Sequence, residues 1–216
     1  MPAKNPPHWD LSNVYPSLSS SKYAADFKKL QKLLNEQEAF LAEKVSQVNA
    51  SSPEGVIAET ASALINRFNE ILILAGTLRS YLESFISTDS YNKEALKKLS
   101  EYELASVKTD KVFMQARAWI GRVAEKLPAA IKLNANASAH AFFLKEAAEQ
   151  SKYLMSESEE TLASELNLSG GNAWEKLQGT VTSQLSVDFE LDGKVQKLPM
   201  PALINLRSHP DESVRR

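Results

Sequence analysis

The sequence contains no cysteine, so it forms no disulfide and offers no thiolate for catalysis or metal binding. That composition fits a reducing compartment, and we expect the protein to be cytoplasmic. Histidine is also scarce. The three histidines, His8, His140 and His209, lie far apart, so no His-x-x-x-His pair exists that would hold a metal on one helix face. The chain itself is therefore predicted to bind no metal.

Long apolar segments are missing as well. The longest apolar cluster, at residues 71–76, is too short to cross a bilayer, and residues 1–20 show no basic region followed by the apolar run of a signal peptide. The formal net charge of -2 excludes a general electrostatic attraction to nucleic acid or to an anionic membrane. We expect neither as a partner.

Apolar residues recur at helical spacing over most of the chain. The spacing predicts an amphipathic helix over residues 21–48, followed by long helices over residues 53–87 and 91–127 that form an antiparallel hairpin. Ser52 is expected to cap the second helix, and residues 71–76 in its middle are expected to be buried on all sides. Shorter helices are predicted over residues 137–154, 157–166 and 173–183.

Several large apolar side chains are expected to anchor the core. They are Trp9, Leu104, Trp119, Phe142, Phe143 and Trp174. On that reasoning, Trp174→Ala is expected to cost about 3–5 kcal/mol of stability. Leu11 and Tyr15, together with Trp9, are expected to dock the N-terminal segment on the helices. Pro128 is expected to end the third long helix.

Near the C-terminus the period changes from helix to strand. Alternating apolar residues predict a first strand, Asp192-Gly193 supplies a two-residue turn, and residues 194–198 return as a second strand. The apolar positions of the first strand are Leu185, Val187, Phe189 and Leu191. The predicted fold class is therefore all-α (mainly α), with a long helical hairpin, further packed helices and one small β-hairpin near the C-terminus.

The β-hairpin has two interpretations. Its edge strand is able to hold an extended peptide by strand addition, because backbone hydrogen bonds tolerate many side chains. The other interpretation is that the hairpin packs on helices as a structural cover, which is the more frequent role. The acidic residues Glu157, Glu159 and Glu160 are better explained as favourable charge at a helix N-terminus than as catalytic carboxylates.

Two parts of the chain carry a family resemblance. One is the opening Trp9-Asp10-Leu11-Ser12 with the later Tyr15-Pro16, and the other lies around the hairpin. The second set consists of Gly170, Ala173, Trp174, Leu177, Thr182, Ser183, Leu198, Pro199, Ser208 to Pro210 and Arg215. This order of residues resembles the N-terminal lobe of the oligoendopeptidase F-like zinc metallopeptidase family, of the thimet-oligopeptidase clan.

The resemblance implies a parent enzyme, a zinc-dependent endopeptidase that hydrolyses short peptides. The family's His-Glu-x-x-His helix does not occur in this sequence. The chain is therefore expected to shape the substrate channel, to bind no zinc itself, to be inactive alone, and to have the missing C-terminal catalytic lobe as its partner. No catalytic, cofactor-binding or metal-binding residue is assigned within it. The alternative is a free-standing helical protein-interaction module without catalytic activity.

The resemblance also predicts the domain organisation. Residues 1–216 are expected to form one N-terminal lobe. Within it, residues 1–20 form a docking arm, residues 21–133 a bundle of long helices, and residues 134–216 further helices with the β-hairpin.

Overall fold

The computed structural model describes residues 10–191 and 193–215, which fall into two compact units. The first unit ends at Ser164 and the second begins at Glu165. Most of these residues are helical, and the one sheet among them is a two-stranded antiparallel hairpin near the C-terminus. The predicted fold class is therefore confirmed.

Three long helices form the centre of the first unit. Helix α1 spans Ser21–Glu43, α2 spans Glu54–Thr88 and α3 spans Lys93–Arg122, and each packs against the other two. With 35 residues, α2 is about 50 Å long, because a helix rises ~1.5 Å per residue. The Asn92 side chain caps α3 by accepting a hydrogen bond from the Ala95 backbone N–H at 3.0 Å. Helices α2 and α3 are the predicted helical hairpin.

Shorter helices complete the first unit and continue into the second. A 3-10 turn at Val45–Gln47 follows α1, and another at Ser151–Tyr153 precedes α7. The short helices are α4 (Leu127–Leu133), α5 (Ala135–Ala139), α6 (Ala141–Gln150), α7 (Glu157–Ser169), α8 (Gly171–Gln184), α9 (Met200–Leu206) and α10 (Glu212–Arg215). The hairpin strands are β1 (Ser186–Leu191) and β2 (Lys194–Pro199).

The core of the first unit lies along one side of α2. Helices α1, α3, α4 and α5 all contact α2, and α6 packs on α3. Trp119 of α3 is fully buried, and its indole N–H donates to the Val48 carbonyl at 2.8 Å. The prediction that Trp119 anchors the core is confirmed. The buried residues of α1 are Tyr23, Leu30, Leu34, Gln37 and Leu41, which form the inner side of the predicted amphipathic helix.

The N-terminal segment docks on this core through Tyr15. The Tyr15 hydroxyl donates to the Asp26 carboxylate at 2.9 Å, and the Tyr15 carbonyl accepts from the Tyr81 hydroxyl at 3.0 Å. Burial, with the Asp26 acceptor, raises the pKa of Tyr15, and burial raises the pKa of Tyr23 to about 12. Both rings therefore stay neutral. The docking predicted for Leu11 and Tyr15 is confirmed, whereas Trp9 lies outside the described residues.

The structure differs from the predicted helix boundaries at three places. Ser52 does not cap α2: Pro53 holds the N-cap position, and the Ser52 hydroxyl instead accepts from the Asn49 N–H at 3.0 Å. Pro128 does not end α3 but lies in the first turn of α4, where its missing N–H is not needed. The helix predicted over residues 137–154 is broken at His140, whose ψ of 22° leaves the helical range.

Burial was overestimated for several apolar side chains. In α2, Ile71 and Ala75 are buried but Leu72 and Ile73 are exposed, because the neighbouring helices cover only one side of α2. Leu104 is exposed as well. In α6 the inward positions are Leu144 and Ala147, and the predicted Phe142 and Phe143 are exposed, Phe142 to 81%. Helical spacing identifies an apolar face but does not say whether another element covers it.

One polar side chain lies in the core. Gln37 of α1 is fully buried, and neither atom of its amide has a hydrogen-bond partner among the described residues. A buried amide without partners costs free energy, because it gives up its hydrogen bonds to water. Gln37 is therefore a destabilising residue at the α1 interface.

We expect Gln37→Met to raise the free energy of unfolding by about 1–2 kcal/mol, because it removes the unpaired amide at nearly constant volume. Denaturant melts followed by circular dichroism measure the change. The control is Gln31→Met, at an exposed position of α1, which should change stability by less than about 0.5 kcal/mol. A loss of stability in Gln37→Met would show instead that the amide is hydrogen-bonded.

A close approach between α3 and the Ser151–Tyr153 turn requires a glycine. A Cβ placed on Gly121 would lie 2.7 Å from the Ser151 Cβ, well inside van der Waals contact. The Ser151 hydroxyl donates to the Ala148 carbonyl at 2.7 Å, which holds this side chain in place. Gly76 of α2 differs, because a Cβ there would meet no described atom within 4 Å. Gly76 therefore makes no close contact that a larger side chain would prevent.

The two glycines form a matched pair for mutation. Gly121→Ala should destabilise the protein by about 1–3 kcal/mol, the usual cost of overpacking. Gly76→Ala should stabilise it by about 0.5–1 kcal/mol, because alanine is the better helix former. Thermal and denaturant melts of both variants measure this. Equal stability of the two would show that the Ser151–Tyr153 turn moves aside at no cost.

Candidate functional site

Helix α8 presents an exposed apolar stripe. Trp174, Leu177 and Val181 follow one another at helical spacing, and they are 69%, 51% and 48% exposed. The better protected positions of α8 include the polar residues Asn172 and Lys176. The prediction that Trp174 is a core anchor is therefore wrong. The spacing does define one face of α8, but in this structure it is the face that remains open.

The hairpin that follows α8 has a defined register. Asp188 lies opposite Lys197 and Leu191 opposite Lys194, and Gly193 in the turn has the predicted positive φ of 71°. Asp192, the other turn residue, lies outside the described residues. The predicted strands are confirmed to within a residue at their ends, and Pro199 is the last residue of β2.

Side chains divide the hairpin into two faces. Val187 and Phe189 lie on one face of β1, and Leu198 of β2 joins them opposite Val187. Asp188 and Glu190 lie on the other face of β1, opposite Lys197 and Val195. One face is therefore mainly apolar, with Lys194 at its turn end opposite Leu191, and the other face carries Asp188, Glu190 and Lys197.

The register also fixes which backbone groups point outward. The Met200 N–H donates to the Leu185 carbonyl at 3.0 Å, which extends the ladder of β1 and β2 by one pair. Hydrogen-bonded pairs alternate with non-hydrogen-bonded pairs in an antiparallel ladder. Odd-numbered residues of β1 thus bond to β2, whereas the N–H and C=O groups of Ser186, Asp188 and Glu190 point away from it.

The two histidines that the structure describes do not form a metal site. His140 Nδ1 lies 2.9 Å from the Asn136 carbonyl, and His209 Nδ1 accepts from the Asp211 N–H at 3.1 Å. Over residues 10–191 and 193–215, no three His, Cys, Asp or Glu side chains come together in a group able to hold a metal ion. His8 lies outside this part of the chain. The described residues therefore do not fit zinc.

Glu159 forms a helix cap with Ser156, in agreement with the favourable charge expected at this helix N-terminus. The Glu159 carboxylate accepts from the Ser156 N–H at 2.9 Å, and this contact and the one from the Ser156 hydroxyl lower the pKa of Glu159. The Glu159 N–H in turn approaches the Ser156 hydroxyl at 3.4 Å, which completes a capping box. These groups stabilise the start of α7 and do not form a catalytic pair.

The first unit has several cavities: one of about 520 Å³ lies between α1 and α3, and two others contain aromatic side chains. The larger of these two, of about 770 Å³, is a groove between residues 10–16 and the end of α2, where Tyr15 and Tyr81 meet Asp10 and Glu83. The smaller, of about 170 Å³, is apolar and includes Phe68, Phe113 and the exposed Phe142. The larger cavity combines serine hydroxyls with the Asp10 and Glu83 carboxylates, but neither cavity includes a histidine to act as the base for a serine nucleophile.

None of the helices in the described parts of the chain is both long and apolar enough to cross a membrane.

Comparison with known protein families gives one match. Residues 123–186 match the family model described as oligopeptidase F, which represents an N-terminal domain. A search of curated proteins and a search of solved structures gave no significant match. This part of the chain is an oligopeptidase F-like N-terminal region. The resemblance inferred from the sequence is confirmed to that extent.

The match covers part of the motif that carried the resemblance. Gly170, the Ala173-Trp174 pair and Leu177 fall within the matched residues, as does the start of β1. The opening motif around Tyr15 and the closing motif around Arg215 fall outside them. The exposed stripe of α8 therefore belongs entirely to the matched region.

Because Trp174 is exposed, its replacement by alanine should cost much less stability than the sequence alone predicts. Trp174→Ala should change the free energy of unfolding by less than about 1 kcal/mol, as substitutions at exposed sites usually do. Trp119→Ala, in the same chain, should cost about 3–5 kcal/mol because that ring is fully buried. Denaturant melts of the two variants provide the comparison. Equal losses would show that the α8 stripe is covered in solution.

Proposed function

We propose that residues 1–216 form the N-terminal lobe of a zinc-dependent oligoendopeptidase and shape the channel that admits short peptides. The observation that carries the proposal is the match of residues 123–186 to the N-terminal domain model of oligopeptidase F. In this account the catalytic groups and the zinc belong to a C-terminal lobe outside these residues, and the chain alone is inactive.

The chemistry of the described side chains supports the assignment of the catalytic groups to another lobe. Over the described residues, no three His, Cys, Asp or Glu side chains are arranged to hold a metal ion. Peptide hydrolysis by zinc needs at least three protein ligands around the ion, together with a base for its water. We therefore assign no step of the reaction to these residues.

The exposed stripe of α8 supports a partner surface. Trp174, Leu177 and Val181 form a row of large apolar side chains, and covering each would contribute roughly 1–3 kcal/mol through loss of its contact with water. Rows of this kind are typical of interaction surfaces. We propose that the catalytic lobe covers this row.

The test compares the 216-residue chain with the longest translation product of its gene that contains it. The longer product should cleave short peptides and leave a folded protein intact, and a strong chelator should abolish its activity until zinc is restored. The chain alone should cleave neither.

One control variant shows whether the cleavage depends on the zinc site. A longer product in which the glutamate of its His-Glu-x-x-His helix is changed to glutamine should bind zinc but not cleave. Cleavage by the 216-residue chain itself would overturn the proposal, as would a longer product without zinc-dependent activity. The free-standing interaction module would then be the better account.

A further inference from the structure

The outer edge of β1 has the geometry of a strand-addition site. Its backbone groups at Ser186, Asp188 and Glu190 point away from β2, and no third strand pairs with this edge within the described residues. All three residues are exposed. The strand is six residues long and contains neither proline nor a bulge. An unpaired, regular edge of this length is a template for an extended peptide.

The outer edge of β2 is a poorer template. Its outward-pointing residues are Val195, Lys197 and Pro199, and proline has no N–H to donate. Helix α9 begins directly after Pro199 and packs against β2. The two edges of the hairpin are therefore not equivalent, and β1 is the edge that accepts a further strand.

The side chains of β1 specify the partner. Asp188 and Glu190 lie on one face of the edge, and Val187 and Phe189 lie on the other. Opposite charges across neighbouring strands stabilise pairing, and like charges oppose it. A matching strand therefore carries basic side chains on the face of Asp188 and Glu190, with apolar side chains between them.

Self-pairing of this edge is disfavoured in the register centred on Asp188. Antiparallel pairing of β1 with itself about Asp188 would place the two Asp188 carboxylates opposite each other. Such pairing is destabilised by repulsion between like charges. The charge pattern thus favours a different strand over self-association in this register.

We infer that the outer edge of β1 binds an extended peptide in which basic and apolar side chains alternate. The peptide adds as a third strand, with its backbone bonded to Asp188 and Glu190 and its basic side chains beside their carboxylates. This inference rests on the proposed function only in identifying the peptide as a substrate of the parent enzyme. Binding itself is a property of the present chain.

The test measures binding of a capped peptide in which lysine and valine alternate over the length of β1, by titration calorimetry with the full chain at low ionic strength. Asp188→Pro removes an outward N–H but no bond of the hairpin, and it should weaken binding about tenfold, the equivalent of one good hydrogen-bond pair. Asp188→Asn, which removes the same carboxylate but keeps the N–H, is the control for the lost charge, and Lys197→Pro is the control for the same backbone change on the outer edge of β2. Lys197→Pro should change affinity less than about twofold.

Charge reversal tests whether the carboxylates of Asp188 and Glu190 select basic side chains in the peptide. Glu190→Lys should weaken binding of the lysine peptide and improve binding of a peptide in which glutamate replaces the lysines. Binding of the original peptide should also fall as salt is added, because exposed charges are screened over about 10 Å at 0.1 M salt. An unchanged preference in Glu190→Lys would overturn the assigned chemistry.

N-methylation of alternate amides of the peptide provides a measurement that needs no protein variant. The methyl groups block a strand ladder, so binding should be lost if the peptide adds to β1. Equal binding of the methylated peptide would overturn the inference, as would equal effects of the two proline variants. These outcomes leave the proposed peptidase role untouched, since that role is tested by zinc-dependent cleavage.

Discussion

Burial of one side of α2 is the constraint on which the first unit depends. Its stripe includes Ile57, Ile71, Leu78 and Leu82, all essentially without solvent contact, and four other helices pack along it. Each such side chain contributes about 1.5–3 kcal/mol when it is fully removed from water. Tyr15 of the N-terminal segment extends this contact, because its ring lies edge-on to Tyr81 of α2 with ring centroids 4.9 Å apart.

Features governed by a few consecutive residues could be predicted from the sequence. The buried stripe of α1, the capping box of Ser156 and Glu159, and the positive φ of Gly193 all follow from local rules. The role of Pro128 could not be predicted in this way, since proline is as suitable for starting a helix as for ending one. Gln37 falls on the same stripe as Leu34 and Leu41, so its burial could have been found from the spacing of α1.

Features that depend on a distant neighbour could not be predicted in this way. Trp174 and Phe142 have the size and spacing of core residues, yet both are exposed, because no element within the described residues covers their faces. The hairpin could be predicted from the sequence, but which of its two edges accepts a further strand could not. That choice depends on the register, which decides that Asp188 points outward, and on Pro199, which weakens the opposite edge.

The chain thus combines a helical unit packed along one side of α2 with a hairpin whose β1 edge is unpaired within the described residues. Residue-resolved amide hydrogen exchange on the full chain tests this combination most directly. The account predicts the slowest exchange in the middle of α2, and an alternation along β1 in which Val187 and Phe189 exchange more slowly than Asp188 and Glu190. Uniform protection along β1, equal to that of α2, would contradict the account, because it would show that the outer edge is already paired.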